Sequence, residues 1–442
     1  MPMTPPGIII AAPASGSGKT VLTLALLRHL SQSGLAVASA KTGPDYIDPA
    51  FHAAATGRAC VNLDPWAMRG ESLDRLISRM GQGAKLLICE GVMGLFDSAA
   101  SGSGSSADLA VHTGWPVVLV VDSRHQGASA AAVVRGFASH RDDVEVAGVV
   151  FNNVGGARHT DILREATAAA LPELPVLGCV PHDPALTLPE RHLGLVQAAE
   201  HPQLEAFLGT AAQNLAAHVD TDALVALARS ARIKEKPPAV APVLIPPLGR
   251  RITVARDEAF AFSYASVLEG WRGAGAELCF FSPLAGEGPD ETADAVYLPG
   301  GYPELHAGKL AASADFLGGL KGAAERGAVI FGECGGYMVL GETLMDGEGT
   351  SHAMAGLLPL VTTFATRSLH LGYREVRLAT ETALGAKDAL FRGHEFHYAE
   401  IMEEGPGNAL LACHDARGGA LGPAGLYSGK VMGSFIHFID GG

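Results

Sequence analysis

Two groups of residues in this chain are spaced for chemistry, and they lie far apart. The first is Ala14-Ser15-Gly16-Ser17-Gly18-Lys19-Thr20, which follows the apolar run Gly7–Ala12. In a phosphate loop, backbone N–H groups at the head of a helix wrap phosphates, a Lys neutralises their charge and a Thr hydroxyl ligates Mg²⁺. Ser15, Gly16, Ser17, Gly18, Lys19 and Thr20 are therefore the expected nucleotide contacts. The strict pattern has Gly where this chain has Pro13, so a plain Gly/Ser turn before a helix is the alternative. The strand-like run before the loop and Val21, Leu22, Leu24, Leu26 and Leu27 after it favour the phosphate loop. The second group is Gly332-Glu333-Cys334-Gly335-Gly336 after Val329-Ile330-Phe331. Strand, tight turn and helix in that order lift a nucleophile clear of a sheet. A thiol there sits at a helix N-terminus, which is expected to lower its pKa. One group binds a nucleoside triphosphate and the other suits attack on an amide carbonyl. Together they imply activation of one substrate by ATP and capture of nitrogen from another.

Other residues are placed to complete these sites. Glu90 ends the run Leu86-Leu87-Ile88-Cys89, where open α/β sheets gather ligand groups, and is expected to serve a metal or catalysis. Asp45, within Lys41–Pro49, follows the second strand and either reaches the same crevice or shapes a Pro-containing turn. Asp97, in Leu95-Phe96-Asp97, has the same two readings. Asn152 closes another strand, where it could read a base edge or form a turn. There is no NKxD-type guanine signature, so ATP is the expected nucleotide. For the cysteine, His437 in Gly433–Phe438 is the expected general base. Gly300 and Gly301, with Gly335, offer backbone N–H groups for an oxyanion hole and for an amide substrate, each donor contributing about 3 kcal/mol. His394-Glu395-Phe396-His397-Tyr398 is a dense polar cluster open to three readings: substrate contact or domain interface, a surface hairpin, or a metal site without helical ligand spacing.

The elements that must hold these residues alternate along the chain. Candidate strands Gly7–Ala12, Leu35–Lys41, Lys85–Glu90, Pro116–Asp122, Val146–Asn152 and Pro175–Val180 are separated by helical stretches, the pattern of a parallel sheet covered on both faces. Leu204, Phe207, Leu208, Ala211 and Leu215 recur at helical spacing and are expected to pack on it. Residues 231–250 carry Lys234-Glu235-Lys236-Pro237-Pro238 and further prolines, and read as an extended linker. A second α/β series follows in Ile252–Ala255, Glu277–Phe281, Ala295–Leu298 and Ala328–Phe331. It ends in the strand signals Tyr373–Leu378, His397–Met402 and Lys430–Phe438. The expected domains are 1–230, nucleotide-binding, and 251–442, amide-handling, joined by 231–250.

Composition narrows the class. A net charge of −14 argues against a nucleic-acid partner, which calls for clustered Lys and Arg. No apolar run reaches bilayer length, and Met1–Pro6 has no basic leader. The scattered cysteines, without a CxxC pair, fit free thiols in a reducing cytosol, so the expectation is a cytoplasmic enzyme.

Ala14–Thr20, Lys41–Pro49, Glu90–Asp97, the cysteine elbow and Gly393–Tyr398 together resemble the cobyrinate (or hydrogenobyrinate) a,c-diamide synthases of cobalamin synthesis, over essentially the whole chain. The related cobyric acid synthases carry a Gln-Asn-Met pattern where this chain has Gly43–Pro49. The resemblance implies an α/β N-terminal P-loop domain with a parallel sheet, like dethiobiotin synthetase, and a C-terminal class I glutamine amidotransferase-like α/β domain. It implies that Thr20 and Glu90 hold Mg²⁺, that Lys19 supports the ATP phosphates, and that Asp45 and Asp97 contact metal or the reacting carboxylate. Cys334 and His437 would hydrolyse glutamine. The substrates would be glutamine and a corrinoid polycarboxylic acid, with or without cobalt, and a homodimer stays open. Class I amidotransferases usually have Glu two residues after the catalytic His, where this chain has Ile439. The alternatives are an amidoligase of another polycarboxylic acid and a P-loop regulatory ATPase with a ligand-sensing domain. The latter usually has a second Lys early in the loop, at the position of Ala14.

Overall fold

A computed structural model describes residues 5–191, 194–233, 242–405 and 407–442. The chain divides into two compact units, Met1–Trp66 with Gly70–Pro238, and Ala67–Arg69 with Ala239–Gly442.

The first unit is built on a parallel sheet. Its strands are β1 (Pro6–Ala11), β2 (Val37–Thr42), β3 (Val61–Leu63), β4 (Leu86–Glu90), β5 (Val117–Asp122), β6 (Val146–Val154) and β7 (Val176–Pro181), in the order β3-β2-β4-β1-β5-β6-β7. Ile8, Ile9 and Ile10 are wholly buried, which is why β1 reads as an unbroken apolar run. The strand order reverses at β1, which lies between β4 and β5, and such a reversal opens a crevice at the strand ends. Helix α1 (Lys19–Gln32) begins there, behind Gly18 at φ 81°. Helix α2 (Asp48–Thr56) follows β2. The expected late helix is α3 (Leu204–His218), which packs on α1 and β7 rather than across the sheet. Edge strand β3 went unanticipated because it is only three residues long.

The second unit has a mixed sheet. Strands β8 (Arg251–Ala255), β9 (Glu277–Phe281), β10 (Ala295–Leu298) and β11 (Val329–Glu333) run parallel. Helix α4 (Gly335–Leu340) follows β11. The antiparallel part comprises β12 (His370–Leu378), β13 (Leu390–His397), β14 (Asn408–Asp415), β15 (Ala420–Ser428), β16 (Val431–Ser434) and β17 (Ile436–Gly441). The order is β9-β8-β10-β11-β16-β15-β14-β12-β13-β17. Two expected strands are interrupted. Lys430–Phe438 breaks at Phe435, where the Ser434 hydroxyl accepts the Ile436 N–H and the chain crosses from β11 to β13. The run His397–Met402 breaks after His397, and a separate strand begins at Glu400. A four-stranded sheet lies beside this one.

Of the expected linker, Lys234–Pro238 lies outside the described residues. Its longer described part, 242–250, forms no helix or strand but is packed: Leu244, Ile245 and Leu248 are buried, and the Trp271 indole N–H donates to the Ile245 carbonyl at 3.0 Å. The apolar run Val243-Leu244-Ile245 between the prolines outweighs the linker-like composition. No helix among the described residues is long and apolar enough to cross a membrane.

Candidate active sites

In the first unit, a cavity of about 550 Å³ is lined by Ser15, Gly16, Gly18, Lys19, Thr20, Asp45, Asp48 and Asn152, among others. Beneath it Glu90 is fully buried and ends β4 beside Lys41 of β2, its register partner. The Thr20 hydroxyl donates to Glu90 Oε1 at 2.6 Å, and Lys41 Nζ reaches the same oxygen at 2.9 Å. Glu90 Oε2 is 2.7 Å from His52 Nε2. Lys41 Nζ also donates to Asp48 Oδ2 at 2.5 Å. This is a buried cluster of four ionisable side chains. Burial alone would neutralise Glu90, but Lys41 and His52 hold its carboxyl well below the ordinary range. Burial also opposes charge on His52, yet the Cys60 sulfur and Glu90 keep its pKa up at about 10. Burial and the nearby Asp45 raise Asp48 to about 7, against the pull of Lys41. Burial and Lys41 lower Lys19.

Three expected residues meet other bonds here. Asn152 Nδ2 donates to the Ser17 carbonyl at 3.0 Å and so braces the loop, while the residue also lines the cavity. A bent loop leaves carbonyls that need donors, and Asn152 supplies one. Asp45 Oδ1 accepts the N–H groups of Ile47 and Asp48 at 2.8 and 2.9 Å, forming the turn that starts α2 while the residue still lines the cavity. Asp97 is exposed, and its Oδ2 accepts the Gly94 N–H at 2.7 Å. That turn sits beside the Pro13 carbonyl, but none of its bonds reaches Lys19, Thr20 or Glu90. Lys41, Asp48 and His52 were not singled out from the sequence. The available signals were a Lys ending a strand opposite Glu90, and an Asp and a His one helical turn apart on α2.

In the second unit, Cys334 occupies the turn between β11 and α4 with φ 48° and ψ −106°. That conformation costs a non-glycine residue about 1–3 kcal/mol and is the elbow the sequence suggests. Gly300 separates Cys334 from His437. A Cβ on Gly300 would collide with His437 Cε1 and lie 3.3 Å from Cys334 Cβ, so only glycine fits. Gly335 is packed against Gly301, since a Cβ on Gly335 would lie 3.2 Å from the Gly301 nitrogen. Cys334, His437, Gly300, Gly301 and Gly335 are thus brought together. The expected fall in the thiol pKa is not found. Burial, with Glu304, Glu395 and Glu333 adding to it, pushes Cys334 well up, and the Gly335 N–H only partly offsets this. A six-residue helix supplies too small a dipole to outweigh desolvation.

The polar cluster sits on β13, where His394 is the register partner of His437. Arg374 Nε donates to Glu395 Oε2 at 2.7 Å, and Glu395 Oε1 is 3.0 Å from His397 Nε2. Donor atoms of His370, Glu395 and His397 lie within 4.8 Å of one another. The two imidazoles stack at 4.7 Å and 11°, so their in-plane lone pairs run side by side instead of converging on one point. That arrangement, with Arg374 on the carboxylate, fits a braced wall of the site better than an ion cage.

Comparison with known proteins agrees with both units. Residues 8–196 match the model of the CobQ/CobB/MinD/ParA nucleotide binding domain, and residues 251–441 match that of the CobB/CobQ-like glutamine amidotransferase domain. A hydrogenobyrinate a,c-diamide synthase of Sinorhizobium sp is 56% identical over 98% of this chain and 98% of its own. That of Brucella anthropi is 55% identical over the same shares. That of Rhodobacter capsulatus is 52% identical over 99% of each chain. With a P-loop unit, a cysteine-elbow unit and end-to-end similarity at this level, the chain belongs to the hydrogenobyrinate a,c-diamide synthase family.

Proposed function

We propose that this protein is an ATP- and glutamine-dependent ligase that amidates the a and c carboxylates of hydrogenobyrinic acid. One observation carries the reading: a single chain holds both a phosphate loop backed by a buried carboxylate and a cysteine elbow packed against a histidine. The relatives named for hydrogenobyrinate supply the choice of acid.

In the first unit, the backbone of Ser15–Gly18 cradles the ATP phosphates, and Lys19 balances their charge. Thr20 and Glu90 form a hard-oxygen pair 2.6 Å apart, the donor chemistry Mg²⁺ prefers, and they would hold that ion. When bound, it neutralises phosphate charge. Lys41 keeps Glu90 ionised for that role. A substrate carboxylate oxygen attacks the γ-phosphorus, ADP departs, and an acyl phosphate forms. Asp45 and Asp48 edge the same cavity and orient the incoming acid. In the second unit, His437 takes the thiol proton and Cys334 sulfur attacks the glutamine side-chain carbonyl, with Gly301 and Gly335 amides facing the oxyanion. The C–N bond breaks, ammonia leaves with a proton returned by His437, and water hydrolyses the thioester to glutamate. Ammonia attacks the acyl phosphate, phosphate leaves, and a carboxamide remains. The cycle repeats on the second carboxylate. Six free cysteines, none in a disulfide, support a cytoplasmic setting for this reaction.

The test is mass spectrometry of hydrogenobyrinic and cobyrinic acids incubated with the protein, MgATP and glutamine. Conversion of two carboxylates to amides in the metal-free acid is expected. No conversion of either acid, with glutamine or with free ammonia, would overturn the reading and favour an amidoligase of another polycarboxylic acid.

A further inference from the structure

The residue two positions after His437, where class I amidotransferases usually carry an orienting acid, is Ile439, and it is 1% exposed in an apolar setting. A different carboxylate stands beside the imidazole. Glu333, the last residue of β11 and the immediate neighbour of Cys334, has Oε2 3.8 Å from His437 Nδ1. The same oxygen accepts the Tyr297 hydroxyl at 2.6 Å, and Oε1 accepts the Phe438 N–H at 3.0 Å. We propose that Glu333 is the positioning acid of His437, supplying from the nucleophile's own strand what the family of class I enzymes supplies from the histidine's. The inference rests on the reading of Cys334 and His437 as the glutaminase pair.

The physical case begins with the imidazole's two edges. The Cε1–Nε2 side of His437 abuts Gly300, across which Cys334 lies, so Nε2 is the nitrogen that serves the thiol. A base working through Nε2 must carry its other proton on Nδ1, and the imidazolium it becomes is stabilised by negative charge at that nitrogen. Glu333 is the carboxylate at that edge. At 3.8 Å the contact is too long for a hydrogen bond but within ion-pair reach, and such contacts tighten once substrate is bound. The Tyr297 and Phe438 donors fix both oxygens, so the carboxylate cannot rotate away from the ring. Tyr297 is itself held by a T-shaped contact with Trp271 at 5.3 Å. Of two polar neighbours on β13, His394, the register partner of His437, offers no negative charge, and Glu395 is engaged by Arg374 and His397.

A purely structural Glu333 would tie β10 to β17 and do nothing more, so the experiment must separate the two roles. Steady-state kinetics of Glu333→Gln are measured on the full chain with glutamine and, separately, with ammonia as nitrogen donor. The amide keeps the shape, the ammonia-dependent rate reports an intact first unit, and an unchanged KM for glutamine reports a folded second unit. The expected result is a kcat with glutamine lowered by roughly ten- to a thousandfold, with KM for glutamine within about twofold of the parent. A glutamine kcat within twofold of the parent overturns the inference. Should Glu333→Gln lose the ammonia-dependent rate as well, Tyr297→Phe decides. Loss of one fixing bond is then expected to lower the glutamine kcat by about three- to tenfold at unchanged KM, and an unchanged kcat overturns the proposal. Cys334→Ala is run alongside. If it still uses glutamine, the glutaminase reading has failed; if it does not and Glu333→Gln does, only the role of Glu333 has failed.

Discussion

The two units bury histidines in opposite electrostatic settings. His52, in the first, is fully enclosed yet keeps its charge, because Glu90 lies 2.7 Å from Nε2 and the Cys60 sulfur faces the other nitrogen. His394, in the second, is pushed down to about 3 by burial, by His437 and by Arg374. Burial alone disfavours charge in both, so the contrast comes from what each sheet places beside the ring. The first unit keeps a buried cluster of paired charges next to its cavity, suited to phosphates and carboxylates that arrive charged. The second buries its thiol among the carboxylates of Glu304, Glu395 and Glu333, which disfavour a thiolate at rest.

This difference can be broken most sharply by removing one reactive group from each side. Lys19→Ala is expected to depress amide formation on the order of a hundredfold or more with either nitrogen donor, because phosphate charge stabilisation serves both. Cys334→Ala should abolish glutamine use, on the order of 10⁴-fold or more, and leave ammonia-dependent amidation near the parent rate. Equal loss with both donors in the second variant would dissolve the division of labour.

A next effect concerns the buried charges themselves. Glu90→Gln leaves Lys41 and His52 without their shared carboxylate, and stranding buried charges typically costs about 3–5 kcal/mol. Urea unfolding should show the first unit's transition moved to lower denaturant while the second unit's stays in place. A shift below about 1 kcal/mol would mean the cluster is better solvated than its geometry suggests.

The histidines also predict opposite responses to pH. His394 has a folded pKa of about 3 and an ordinary unfolded value near 6.5, so between these the unfolded chain binds more protons. Its stabilising contribution is complete above pH 6.5 and is lost as pH falls, by up to about 1.4 kcal/mol per unit. His52, raised to about 10, behaves in the reverse sense: its contribution is full below 6.5 and is lost as pH rises towards 10. Thermal unfolding at pH 5.5, 7 and 9 should weaken the second unit on the acid side and the first on the alkaline side. His394→Phe should flatten the acid arm alone. The smallest effect is expected from Asn152→Ala, which frees the Ser17 carbonyl. Loss of about 1 kcal/mol should raise KM for ATP roughly fivefold and leave kcat nearly unchanged.

Much of this was legible in the sequence because it is local. Ile8–Ile10 and Val117–Val121 are strands on sight, and a phosphate loop or a cysteine elbow is a run of neighbouring residues. Non-local pairings were not legible. Lys41 meets Glu90 only because β2 and β4 align in register, and Glu333 meets His437 only because β16 pairs with β11 and carries the start of β17 past its end. The thiol pKa was misread for a related reason: the helix N-terminus is visible in the sequence, but the carboxylates and apolar walls around it come from distant segments. Asn152 stood out as the end of a strand, but its bond to the Ser17 carbonyl joins segments far apart in the chain and was not legible either.

The packed stretch 242–250 has a practical consequence for anyone dissecting the chain. The amidotransferase family match begins at Arg251, which invites a cut there. A fragment starting at that residue would lose Leu244 and Ile245 and with them the carbonyl that holds the Trp271 indole. Trp271 rests on Tyr297, and Tyr297 is bonded to Glu333, so the damage would travel to the surroundings of Cys334 and His437. A fragment begun at Pro242 retains this chain of support. The folding boundary of the unit lies upstream of its first strand, and an inactive fragment cut at the sheet would say more about a missing buttress than about missing chemistry.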